Sequence, residues 1–217
     1  MKYCRAHLKK METLMSFFRK HAVWAMLLVP LFATAGSPTE QGPLEVVRRG
    51  NAEVEKLLNA KADADTLAGS IEKFVDFGEL ARRALKDTWK ELSKKQQAEF
   101  EETMKGLLKA TYVQKTGGGA SHLSNARIER EELRATEASV HASVQSGKTR
   151  IPVEYRLYKK QTAWLVFDIV TDEVSLVQTY EEQFRRFLST RSYEELLKTL
   201  QSKREQLEQA AKEKKSS

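Results

Sequence analysis

Reactive chemistry is what this sequence has least of. Its one cysteine, Cys4, sits so close to the start that a chain losing its first residues keeps neither a disulfide nor a thiol nucleophile. His122 and His141 show no metal-ligand spacing with each other or with a carboxylate cluster, so no metal site is expected. The run Gly117-Gly118-Gly119 lacks the lysine and hydroxyl residue of a phosphate loop and reads as a linker. No internal repeat points to a solenoid. The apolar run Ala22 to Ala33 is too short, and too quickly followed by polar residues, to suit a membrane span.

That run has a different use. Arg19 and Lys20 precede it and Ala33-Thr34-Ala35 closes it with small residues, which predicts an export leader over 1–35, cleaved after Ala35. Translation from Met15 would give the leader MSFFRKHAVWAMLLVPLFATA, of ordinary length. The formal charge of +7 comes largely from this segment, where six basic residues face one acidic residue, Glu12. The remainder is nearly balanced. It offers no concentrated basic face with interleaved aromatics, and no nucleic-acid partner is expected. An exported chain without disulfides must be held by its core, and the residues left suffice for one domain with a sizeable interior.

The first half of that domain reads as helix. After a short linker over 36–42, Pro43 suits a first helical turn, and Leu44, Val47, Val54 and Leu57 follow one face. Leu67, Ile71 and Phe74 form a second stripe. Asp76 with Glu79 and Ser93 with Gln96 have the spacing of N-terminal caps. Behind the first come Phe77, Leu80, Ala81, Ala84 and Leu85; behind the second come Phe100, Met104, Leu107, Leu108 and Tyr112.

Beyond the glycines the period falls toward two. Ala138, Val140, Ala142 and Val144 alternate with polar residues, and Ile151, Val153, Tyr155 and Leu157 do the same. Ala163 to Val170 is apolar on both faces except at Asp168, which suits a central strand. With a weaker strand near Ala126 to Glu132, these predict an antiparallel sheet of about four strands. Val177, Tyr180, Phe184, Phe187 and Leu188 return to helix, and Ser192 with Glu195 caps another through Leu196, Leu197 and Leu200. The expected class is α+β, a single domain over 43–206 with a charged tail over 207–217.

Two stretches carry a family resemblance: FVDFGELARRALKDTWKELSKKQQAEFEETMKGLLKATYV, residues 74–113, and WLVFDIVTDEVSLVQTYEEQFRRFL, residues 164–188. The Val75-Asp76-Phe77 step, Trp89 before Leu92-Ser93, Phe100, the ending at Tyr112, the Trp164 to Asp168 strand, Val174-Ser175-Leu176, and Tyr180 with Phe184 together resemble the MlaC, or toluene-tolerance auxiliary, family. Lys86 and Glu173 stand where the family pattern carries glycine.

The resemblance implies a periplasmic phospholipid carrier with phospholipid as cargo and no cofactor. Its partners would be an inner-membrane ABC transporter with an MCE-domain subunit and an outer-membrane lipoprotein complex, in a system supporting outer-membrane lipid asymmetry. A carrier needs a deep apolar cavity between sheet and helices. The expected lining is Phe74, Phe77, Leu80, Leu107, Tyr112, Val153, Tyr155, Leu157, Trp164, Val166, Leu176, Val177 and Tyr180, with the three tyrosines near the mouth, where a phenol can face grease while its hydroxyl stays wet. Arg82, Arg83, Arg185 and Arg186 are candidates for a phosphate or an acidic partner surface. Two other readings stand beside the carrier: an isomerase- or hydratase-like enzyme using Asp168 as a base of raised pKa, and a non-catalytic adaptor.

Overall fold

The computed structural model describes residues 41–116, 123–146 and 148–216. The segment expected to be a leader, the Gly117–Gly119 run expected to be a linker, and His122 lie outside the described residues.

Five helices come first: α1 (Pro43–Asn59), α2 (Ala64–Ile71), α3 (Phe77–Leu85), α4 (Asp87–Glu91) and α5 (Lys94–Thr116). The caps form as their spacing predicts. Asp76 Oδ1 accepts from the Glu79 N–H at 3.0 Å, and Ser93 and Gln96 bond each other's backbone N–H at 3.3 and 3.0 Å. Such reciprocal caps satisfy helix-end donors that would otherwise be orphaned.

Strands β1 (Leu123–Leu133), β2 (Glu137–Ser146), β3 (Thr149–Lys160), β4 (Ala163–Thr171) and β5 (Val174–Ser175) form one antiparallel sheet in chain order. Its fifth strand is a two-residue hairpin return that no periodicity could reveal. The outer edge of β4 is further covered by residues 74–76: Asp76 N–H donates to Val166 O and Val166 N–H to Phe74 O, both at 2.8 Å. This pairing leaves less of the edge open to another chain.

Helix α6 (Leu176–Leu188) follows β5 directly, and α7 (Tyr193–Ser216) packs along α5 in the same direction, with Tyr193 at Gln96 and Arg204 at Gly106. It opens on the Ser192 and Glu195 box, with reciprocal bonds of 3.1 and 3.2 Å. The helix continues through the stretch expected to be a tail from 207 onward. Leu207 is buried against the helical core and anchors that last part, whose Lys, Glu, Gln and Ala residues are good helix formers.

Both positions where glycine was expected adopt positive φ, Lys86 at 51° and Glu173 at 64°. The chain therefore keeps glycine-like turns with side chains that disfavour them. Lys86 also forms an ion pair with Glu181 of α6 at 2.5 Å.

Candidate lipid-binding interior

The sheet separates two apolar layers. On one face Ala138, Val140, Ala142, Val144, Val153, Tyr155, Leu157, Trp164 and Val166 meet Val47 and Val54 of α1, Leu67 of α2 and Phe74. Around this layer lies a rim of half-buried apolar side chains, among them Leu44, Leu57, Ile71, Ile128, Ile151 and Ile169. The second layer gathers α3, α5, α6 and α7 about Phe100, which meets Phe184 edge-on at 5.6 Å and Tyr193 at 6.1 Å.

A bulge in β4 makes the difference between the faces. Arg156 of β3 pairs with Asp168 and its neighbour Leu157 with Val166, so Phe167 is the extra residue. The bulge sets Phe167 and Asp168 together on the face turned away from α1, while Val166 and Ile169 stay on the α1 side.

The expected lining is thus divided. Phe74, Val153, Tyr155, Leu157, Trp164 and Val166 share the sheet layer with α1; Leu80, Leu107, Leu176 and Val177 belong to the helical layer. Phe77 touches both. Tyr180 stacks on Phe184 at 5.5 Å. The Tyr112 side chain lies outside the described residues. Tyr155 departs from the expectation of a wet phenol at a mouth: it is 4 % exposed, its hydroxyl donates to Asn51 Oδ1 at 3.5 Å, and burial pushes its pKa up to about 12, against the smaller opposing effect of that bond.

Sequence reasoning missed Asn51 and Glu55. They project from α1 among Val47 and Val54, only 1 % and 7 % exposed, and Asn51 Nδ2 and Glu55 Oε2 find no protein partner. The spacing Val47, Asn51, Val54 was the available signal, since it places an amide on the apolar stripe. Gly50 beside them lets the Phe74 ring press on α1. A Cβ there would sit 2.7 Å from ring atoms, so the close approach needs glycine.

On the sheet's other face a polar cleft of about 720 Å³ opens between α3, α4, the strands and the start of α6. Its charges are largely matched in place. Arg83 bonds Glu79 and Glu137 at 2.7 and 2.8 Å and stacks over Phe167 at 3.6 Å; Arg82 forks onto Glu79; Arg156 reaches Glu154 and Asp168. A cleft of paired ions suits neither an acyl chain nor an unaccompanied phosphate. Arg185 and Arg186 are elsewhere, exposed in the last turn of α6.

Asp168 is a fastener here. It accepts from Ser175 Oγ at 2.6 Å, the Val177 N–H at 3.0 Å and Arg156 Nη1 at 3.4 Å, tying β4 to the first turn of α6. A carboxylate so engaged with backbone, hydroxyl and guanidinium has a structural role in joining β4 to α6. Asp76 fastens similarly. Burial pushes its pKa up, but bonds from Lys160 at 2.8 Å, Tyr158 at 2.5 Å and the Glu79 N–H outweigh this and hold the carboxyl below its ordinary range. Among the described residues no His, Cys, Asp and Glu group could hold a metal ion, and no helix is long and apolar enough to cross a membrane.

Sheet, flanking helices and apolar interior define an α+β domain organised around an enclosed greasy layer. Residues 44–202 match the family described as MlaC protein, and the chain belongs to that family. The solved phospholipid-binding protein of Ralstonia solanacearum, in complex with a phospholipid, is similar in fold: TM-score 0.61 at 23% identity, over 73% of this chain and 88% of that one. No curated protein matches the chain.

Proposed function

We propose that this protein is a periplasmic phospholipid carrier, and that the acyl chains occupy the layer between α1, α2 and the apolar face of the sheet. The observation that carries this reading is the pairing of family membership over 44–202 with that layer, around which half-buried apolar side chains are packed. Phe74, Val153, Tyr155, Leu157, Trp164 and Val166 are its lining, and Phe77 stands at the border with the helical core.

The energetic requirement favours an enclosed interior over a surface patch. Burying one methylene against water is worth about 0.8 kcal/mol, so two acyl chains represent roughly 20 kcal/mol or more that a carrier must shield. The site must nevertheless be comparable to a bilayer in stability, or cargo would not unload. In the Mla-type role, the chain is exported by its leader and shuttles lipid between an outer-membrane lipoprotein complex and an inner-membrane ABC transporter with an MCE-domain subunit. Arg185 and Arg186, exposed on α6 with Arg186 paired to Glu182 at 3.0 Å, are the candidates for an acidic partner surface.

Native mass spectrometry of protein purified from cells, followed by organic extraction, tests the reading. One phospholipid per chain, or a fixed stoichiometry close to it, is the expected result. A folded chain that stays empty when offered phospholipid vesicles would overturn it.

A further inference from the structure

Apolar layers seldom contain amides and carboxyls, because a buried polar group without a partner costs about 1–3 kcal/mol. This one contains both. Asn51 and Glu55 lie one helical turn apart on the buried side of α1, and Tyr155 rises from β3 toward them. The Tyr155 hydroxyl donates to Asn51 Oδ1 at 3.5 Å, the outer limit of such a bond. That contact leaves the two protons of Asn51 Nδ2 unused, and Glu55 Oε2 is also without a protein partner. Ser70 Oγ on α2, 4 % exposed, is a third orphan. Valine or leucine at 51 and 55 would satisfy packing alone, so packing does not account for the choice.

We propose that Asn51, Glu55 and Tyr155 form an internal hydrogen-bonding subsite for the ester carbonyls of a glycerolipid, a reading that rests on the carrier function above. The chemistry selects the ligand group. Asn51 Nδ2 offers donors, which call for an acceptor. Among the described residues no lysine or arginine is buried in this layer, and a carboxyl stands beside the amide, so a charged phosphate is disfavoured. Burial also pushes the Glu55 carboxyl upward in pKa, with a bond from Asn59 working against this. Ester carbonyls are neutral acceptors, and they are the polar groups nearest the acyl chains. Two carbonyls at the head of two chains would meet the donors as the chains fill the layer.

The subsite makes a distinction that greasy packing cannot. A diester lipid carries these carbonyls; a diether lipid of the same headgroup and chain length does not. In competition from mixed vesicles of dioleoyl phosphatidylcholine and its dioleyl ether analogue, read by native mass spectrometry, the wild-type protein should favour the diester about three- to tenfold, the ratio expected for a net hydrogen bond. Asn51→Leu should bring the ratio toward one while still loading lipid, and its melting temperature should not fall, because the substitution removes an orphaned donor.

Equal loading of both lipids by the wild type would overturn the subsite and leave the carrier reading intact; that would follow if Asn51 and Glu55 simply bonded each other. Loading of neither lipid would instead strike the carrier reading itself. A wild-type preference retained in full by Asn51→Leu would also overturn the assignment. The wild-type comparison requires no variant, so it holds even if Asn51→Leu fails to fold.

Discussion

The two apolar layers that flank the sheet are built on different terms. The helical layer closes on itself: Phe100, Phe184, Tyr193 and Tyr180 pack ring against ring, buried Thr103 bonds the carbonyl of Glu99, and the Asp168 and Ser175 fasteners at its border have their partners. The layer under α1 has a ring of half-buried aliphatic residues around it and keeps orphaned polar atoms within. Dense aromatic packing with satisfied bonds serves stability.

Truncating the centre of the helical layer should produce the largest effect. Phe100→Ala should cost about 3–5 kcal/mol in chemical denaturation, because a ring is lost from a site with no solvent access. Protein that remains folded should still hold lipid; a selective loss of lipid without a loss of stability would place the cargo on the wrong side of the sheet. Leu157→Trp is the reciprocal probe. Overfilling the layer under α1 should cost about 1–3 kcal/mol and reduce the lipid recovered from folded protein. Leu107→Trp, in the helical layer, should destabilise without that selective loss.

Backbone strain supplies a smaller test. Lys86→Gly should stabilise by up to about 1 kcal/mol through relief of its positive φ, offset in part by loss of the exposed pair with Glu181. A thermal melt of the variant reads the difference. The smallest effect concerns pH at Glu55. Its carboxyl is raised in the folded state, so its favourable contribution is present below the unfolded value and is lost as pH rises through the folded one. Glu55→Gln should therefore be the more stable protein near neutrality, with the advantage shrinking as pH falls to about 4. A denaturant midpoint measured at both pH values checks the sign, and an advantage that grew on acidification would contradict burial as the cause.

Local features were legible in the sequence because their physics is local. The caps at Asp76, Ser93 and Ser192 depend on residues three apart along one chain segment, and each forms as spacing requires. The apolar faces of β2 and β3 followed from a period of two, and the doubly buried character of β4 from its unbroken apolar run. The division of the lining residues was not legible. Strict alternation would put Val166 and Ile169 on opposite faces, and it is the bulge opposite Arg156 that keeps both on the α1 side while Phe167 and Asp168 turn together to the other.

Sequence alone determined that this chain forms helices, then an antiparallel sheet, then helices, with an apolar interior. Only the tertiary structure decided which apolar face meets which partner, that Asp168 is a fastener, and that Asn51 and Glu55 are buried together with Nδ2 of one and Oε2 of the other unpaired. The reason is one of range. Periodicity states that an element has a buried face, while the identity of what covers it depends on contacts between residues as far apart as Asn51 and Tyr155.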